Sequence, residues 1–174
     1  QQGAVLEPRY VDGSLVSPGP DVLVGSNGDG VYDDLERNVI SNNLQDGVLV
    51  VESSSSIRGN YIGTDPAGMA SMPNGGSGVV VSFGYDNLIR DNLISGNWQD
   101  GLAIDQSESV TVQGNLIGTT ADGLSALPNA GHSLAVYQSD DLLIGSPSVA
   151  DRNVIAYGTG SGILVVDGGS MGSR

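Results

Sequence analysis

The triplet Asn, apolar residue, Ile recurs along this chain at Asn38-Val39-Ile40, Asn60-Tyr61-Ile62, Asn92-Leu93-Ile94, Asn115-Leu116-Ile117 and Asn153-Val154-Ile155. Successive Asn residues lie 22, 32, 23 and 38 positions apart, so short and long units alternate and the repeat is a pair of coils. Recurrence at such periods marks a solenoid, in which no unit can bury its apolar side alone and each must stack on its neighbours.

Each unit offers three short strands. The Asn-x-Ile segment is the first. The second reads Gly47-Val48-Leu49-Val50-Val51, Gly78-Val79-Val80-Val81, Gly101-Leu102-Ala103-Ile104, Ser133-Leu134-Ala135-Val136 and Gly162-Ile163-Leu164-Val165-Val166. The third precedes the next Asn at Ser56-Ile57-Arg58, Leu88-Ile89-Arg90, Val110-Thr111-Val112 and Leu142-Leu143-Ile144, with an earlier copy at Val22-Leu23-Val24. The connections between these strands lack regular two-residue hairpin turns and each strand resembles the one a unit away, so like stacks on like in parallel sheets. Coils spaced by about 4.8 Å make a rod on the order of 30 Å for roughly six coils. Ile40, Ile62, Ile94, Ile117 and Ile155 then stack inside, as do Val48, Val79, Leu102, Leu134 and Ile163. The recurring Asn suits a corner, because it tolerates left-handed backbone and its amide can bond the coils above and below. Asn38, Asn60, Asn92, Asn115 and Asn153 are therefore expected to form an asparagine ladder.

The long coils share a further pattern at an offset of 55 residues: Asn60-Tyr61-Ile62-Gly63-Thr64, Gly68 and Pro73-Asn74, matched by Asn115-Leu116-Ile117-Gly118-Thr119, Gly123 and Pro128-Asn129. Each spans an excursion from the rod, and the two should lie on one side, covering a sheet or forming a shallow platform.

With Arg37-Asn38-Val39-Ile40-Ser41 and Arg152-Asn153-Val154-Ile155-Ala156 near the two ends, these motifs resemble the right-handed parallel β-helix repeat proteins of pectin-lyase-like architecture. They are similar in particular to large bacterial and archaeal surface proteins. The resemblance implies an all-β, single-domain right-handed parallel β-helix over residues 21–167, preceded by an N-terminal arm (1–20) and followed by a flexible tail (168–174). It says little of function, since one such architecture hosts lyases, hydrolases, adhesins and passive rods alike.

Composition narrows the partners. The chain has 16 Asp and 4 Glu against 6 Arg, no Lys, and a net charge of −14. Nucleic acid and anionic membrane surfaces are unsuitable, because both need clustered cations, and no apolar run approaches the roughly 20 residues of a membrane span. Cations are the natural counterpart, and an acidic, lysine-free surface suits high salinity or an extracellular or cell-surface setting. The absence of Cys excludes disulfides and thiol chemistry. A start at Gln1 without Met or a signal-like segment suits either a processed secreted protein or an excised fragment.

One loop, Gly25 to Glu36, follows the spacing of a twelve-residue calcium loop from its third position onward. It places Asn27, Asp29, Asp33, Glu36 and the Val31 carbonyl as candidate calcium ligands, although Gly25 replaces the usual first ligand. An acidic Gly-rich turn is the simpler alternative. Lyase chemistry would need a cationic base near bound calcium; Arg58 and Arg90 beside Asp91 are the candidates, and salt bridging explains them equally. Glu52, Asp105 and Asp167 fall near one sheet edge without forming a hydrolytic triad. His132 is the single histidine and aligns with Ser77. Tyr61, Tyr85 and Tyr137 offer a sugar-stacking platform or ordinary outward pleat positions, and Thr64, Thr111, Thr119 and Thr120 make no regular ice-binding array.

The ends and the outer face complete the expectation. Neither terminus reads as an amphipathic capping helix, so the terminal coils offer strand edges to another chain. The outward stripe Leu49, Val80, Ala103, Ala135 and Leu164 is apolar, to be covered by the long loops or by a neighbouring subunit. The leading expectation is an extracellular structural protein stacking head to tail as a homo-oligomer, its N-terminal arm bracing the next subunit, or forming part of a longer surface solenoid. The alternative is a carbohydrate-binding or carbohydrate-cleaving module.

Overall fold

A computed structural model describes residues 9–11, 14–16 and 22–166. The first two segments, β1 (Arg9–Val11) and β2 (Ser14–Val16), pair antiparallel. The remainder winds through five coils of three strands each. Coil one comprises β3 (Val22–Gly25), β4 (Val39–Ile40) and β5 (Val48–Val51); coil two, β6 (Ser55–Arg58), β7 (Tyr61–Ile62) and β8 (Val79–Ser82). Coil three comprises β9 (Leu88–Arg90), β10 (Leu93–Ile94) and β11 (Leu102–Asp105); coil four, β12 (Thr111–Gln113), β13 (Leu116–Ile117) and β14 (Leu134–Tyr137). Coil five holds β15 (Leu143–Ile144), a 3-10 turn at Val149–Asp151, β16 (Val154–Ile155) and β17 (Ile163–Val166).

Every third strand pairs in parallel, giving three five-stranded sheets: β3-β6-β9-β12-β15, β4-β7-β10-β13-β16 and β5-β8-β11-β14-β17. Register follows the repeat, with Ile40, Ile62, Ile94, Ile117 and Ile155 aligned across the middle sheet. Five coils are complete among the described residues, against the six expected. The early copy at Val22 supplies β3, the first strand of the first described coil. The apolar run Ala4-Val5-Leu6, which suits a strand, lies outside the described residues, whereas Tyr10-Val11 falls in β1.

All three sheets face one interior. Ile57, Ile89 and Val112 come from the first sheet, Ile62, Ile94 and Ile117 from the second, and Val79, Val81, Leu102, Ile104 and Leu134 from the third, all fully buried. Side chains alternate along each strand, so parallel in-register pairing puts every aliphatic residue on its like one coil away. Each buried Val, Leu or Ile adds roughly 1.5–3 kcal/mol relative to exposure. The equivalents in coils one and five, Val24, Ile40, Val48, Ile144 and Ile155, are only half-buried.

The long excursions also have a structural origin. Gly63 and Gly118 follow the Ile of coils two and four with φ of 87° and 83°, and a Cβ at Gly63 would strike the Ser95 carbonyl and Asn97 side chain. From there the chain forms a small antiparallel excursion, closed by Thr64↔Ser71 in one coil and Thr119↔Ala126 in the other. The two excursions bond to each other through Ala121 N–H to Gly68 O at 2.9 Å. Gly68 sits directly over Tyr61 and Leu93, so this excursion covers the outer face of the middle sheet. It was one of two covers expected for the Leu49-to-Leu164 stripe, which belongs to a different sheet.

Ile94→Ala, at the centre of the stack, is expected to destabilise by about 3 kcal/mol, and Ile155→Ala in the last coil by less than half as much. Urea titration followed by circular dichroism reads both.

Candidate functional site: the corners and ends of the rod

At the corner between the first and middle sheets, the backbone N–H and the Nδ2 of each Asn both donate to Oδ1 of the Asn one coil on. Asn38 donates to Asn60 (3.2 and 3.0 Å), Asn60 to Asn92, Asn92 to Asn115 and Asn115 to Asn153. The second Nδ2 hydrogen reaches a strand carbonyl of the preceding coil, as from Asn92 to Ile57 O at 2.8 Å. Asn60, Asn92 and Asn115 are buried, so this bonding satisfies groups that would otherwise be costly to leave dry.

A second ladder stands at the next corner, where Asn43 donates to Asn74, Asn74 to Asn97 and Asn97 to Asn129, with Nδ2 distances of 2.8–2.9 Å. Sequence reasoning missed it. Asn74 and Asn129 each follow Pro in a long coil, whereas Asn43 and Asn97 sit in short turns that share the pattern Ile-Ser-x-Asn-x-Gln-Asp-Gly. The signal was present in their constant offset from the preceding Ile: 3 residues in the short coils and 12 in the long ones. The third corner uses Ser, with Gly84 N–H donating to Ser107 Oγ and Ser107 N–H to Ser139 Oγ, both at 3.0 Å.

Charged side chains gather outside the first corner. Arg58 and Arg90 are register partners and converge on Asp91, and Arg90 also reaches Asp151 at 2.7 Å. Arg37 lies over the Tyr61 ring, 4.1 Å from its centroid. These contacts tie neighbouring coils together, and they hold both Arg58 and Arg90 in ion pairs. A hydrogen bond from the Ser146 hydroxyl, followed by the Arg90 pair, holds the Asp151 carboxyl below the ordinary carboxylate range.

In the loop singled out for calcium, side-chain oxygens bond the loop's own backbone. Asn27 Oδ1 accepts from Asp29 N–H, Asp29 Oδ1 from Val31 N–H, Asp33 Oδ2 from Gly30 N–H and Glu36 Oε2 from Asn27 N–H, at 2.8–3.2 Å. Asp33 Oδ1 is buried without a hydrogen-bond partner. Among the described residues no group of three or more His, Cys, Asp or Glu side chains is gathered to hold a metal ion. As folded, the loop contains two successive Asx turns, at Asn27 and Asp29.

His132 occupies the place of Ser77 one coil pair later. Its N–H donates to Asp100 Oδ1, as that of Ser77 does to Asp46 Oδ1, and its Nδ1 accepts from Ser161 N–H at 2.9 Å. The imidazole thus bridges coils four and five. Glu52 follows β5 and Asp105 ends β11, two coils apart, or about 10 Å along the rod; Asp167 lies outside the described residues. Along the outward stripe, Leu49 is exposed, Val80, Ala103 and Leu164 are half-buried, and Ala135 is buried. An open groove runs along the third corner, lined by Phe83, Gln106, Glu108, Gln138, Asp140 and Asp141.

The rod's ends differ from its middle. Ile163 is 47% exposed, whereas Val79, Leu102 and Leu134 in the same interior row are at 0%. Val165 and Val166 of the same strand are exposed too, as are Val22, Leu23 and Val39 at the opposite end. No described helix is long and apolar enough to cross a membrane.

Residues 23–173 match the model of the family described as "Right handed beta helix region". No curated protein and no solved structure matches the chain.

Asn92→Ala removes the acceptor for Asn60 and the donor to Ile57 and Asn115, and is expected to cost about 3 kcal/mol in denaturant unfolding, against about 1 kcal/mol for Asn153→Ala. Acid stability gives a second expectation. Backbone N–H groups of Ala70 and Met69 depress the Asp65 carboxyl, and the Thr120 hydroxyl and Leu124 N–H depress that of Asp122. A folded value below the ordinary 3.8 means that each carboxylate stabilises the fold above that pH and ceases to as pH falls through its depressed value. The double variant Asp65→Asn, Asp122→Asn should therefore show a shallower loss of melting temperature on acidification from about pH 5 to pH 2 than the unsubstituted protein.

Proposed function

The chain belongs to the right-handed β-helix family, and from that premise we propose that it is a structural protein of an extracellular or cell surface. Its rod is lengthened when further β-helical coils pair with its ends, supplied by another copy head to tail or by a longer surface solenoid. One observation carries this reading: the terminal coils keep the strand register and interior residues of the middle coils, yet expose them, as Ile163 does beside Leu134. Open parallel edges of this kind accept another strand without rearrangement, and a heterologous contact between unlike ends propagates as an open filament. The acidic, lysine-free surface supports an exposed setting. It keeps single rods soluble, and repulsion between them weakens as salt screens it.

A second reading, a carbohydrate-binding module, is favoured by the third-corner groove. Phe83 is half-exposed there beside the amides of Gln106 and Gln138 and three carboxylates. That combination suits stacking on a sugar ring with hydrogen bonds to its hydroxyls. Its acidity favours neutral over anionic glycans.

Negative-stain electron microscopy of the full chain, in a concentration series with calcium and with chelator, decides between them. Filaments with an axial repeat near one rod length support the structural reading, and their loss in chelator assigns calcium to the Asn27–Glu36 loop. Isolated short rods in every condition, together with saturable binding on a neutral-glycan array that Phe83→Ala abolishes, would replace it with the second reading.

A further inference from the structure

The asparagine ladder at the first corner has a direction. In all four steps the earlier coil donates and the later coil accepts. At one end of the rod Asn153 therefore retains a backbone N–H and one Nδ2 hydrogen without an acceptor, since its other Nδ2 hydrogen reaches Val112 O. At the opposite end Asn38 Oδ1 receives no donor among the described residues. The backbone beside the ladder repeats this polarity with the roles reversed. Tyr61 and Gly63 N–H donate back to the Asn38 and Ile40 carbonyls, and each later coil does likewise. The carbonyls of Asn153 and Ile155 thus stand open at the last coil, and the N–H groups of Val39 and Ser41 at the first. In the third sheet Gly47 and Val48 N–H donate forward to Ser77 and Gly78, which leaves donors at Gly162 and Ile163 and acceptors at Asp46 and Gly47.

Each open group at one end thus has its complement at the other, at the spacing by which coils already pair within the rod. The two end coils also share the run Arg-Asn-Val-Ile, at Arg37–Ile40 and Arg152–Ile155. Two first coils, or two last coils, would oppose donor to donor and acceptor to acceptor at these positions.

We propose that the last coil docks on the first coil of a second copy of this chain, with Asn153 donating to Asn38 Oδ1 and Val154 lying beside Val39. This rests on the structural reading above and specifies its partner, polarity and register. The Ile163 side chain would then cover Val48 of the next copy, closing the interior row that both ends leave open. With −14 per chain, like charges oppose the contact. Association strengthens with salt as the screening length falls from about 10 Å at 0.1 M to about 3 Å at 1 M.

The absence of cysteine makes a direct test clean. Parallel neighbours about 4.8 Å apart lie within the Cα separation of a disulfide, about 4.4–6.8 Å. Val39→Cys and Val154→Cys proteins, purified separately with folding checked by circular dichroism, are mixed in molar salt and oxidised. The expected product is a heterodimer joining the two variants, on the order of tenfold more abundant than either homodimer. Leu143→Cys, also exposed on the last coil but in another sheet, should give none with Val39→Cys. Cross-linking no greater than that control, while the unsubstituted protein still sediments as long rods, overturns this register and polarity and leaves the rod reading standing. An unsubstituted protein that remains monomeric from low to molar salt overturns docking between copies altogether. Filaments lacking at the same time in microscopy would withdraw the head-to-tail form of the structural reading with it.

Discussion

Stability and shape here both depend on one constraint: parallel strands stacked in register, so that every residue sits on its equivalent one coil away. A β-helix contains no layer of helices to shield its sheets and closes its core only by wrapping three narrow sheets around it. Any slip in register would send interior aliphatic residues outward and the polar pleat inward. The corners prevent that slip. At two of them an Asn amide donates to the next amide and to a strand carbonyl, and at the third a Ser hydroxyl takes part. Two of the three turns per coil are therefore keyed to their neighbours by a side chain with only one good orientation.

The same constraint divides the molecule into a rigid middle and incomplete ends. Where a coil has neighbours on both sides, its inward Ile, Leu and Val are buried and its first-corner Asn is bonded both ways along the rod. In the first and last coils, half of those interactions have no counterpart among the described coils. Nearest-neighbour coupling of this kind makes the end coils the least stable part of the rod and the part best able to gain by contact. It also explains why charge is placed as it is. The Arg58, Arg90, Asp91 and Asp151 pairs span coils along one corner, reinforcing the stacking direction, while most remaining acidic groups face solvent or turn backbone.

The side chains that look most distinctive in the sequence take part in local backbone hydrogen bonding in three dimensions. The Asn27-to-Glu36 spacing matched a calcium loop, yet its side chains turn back on their own N–H groups, as short polar residues do wherever a tight turn leaves donors unpaired. His132 was notable for being alone, and its position is an ordinary corner role filled by Ser one coil pair earlier. Conversely, the second asparagine ladder carried little local signal. Its members fall into two different flanking motifs, Ile-Ser-x-Asn-x-Gln-Asp-Gly around Asn43 and Asn97 and Pro-Asn at Asn74 and Asn129, and the excursions in coils two and four shift the second pair nine positions farther from the preceding Ile than the first. Alignment in space is what makes the two pairs equivalent to each other.

Periodicity alone was sufficient for the class of fold, the three strands per coil and the interior rows, because a solenoid repeats its physical environment and so repeats the residue that suits it. The number of complete coils, the face that the Gly68 excursion covers and the direction of the asparagine ladder emerged only from the folded chain. Those depend on where backbone donors and acceptors point, a vector property that residue identity does not encode. The difference matters most at the ends, where two coils that share the run Arg-Asn-Val-Ile present opposite halves of the same hydrogen bonds.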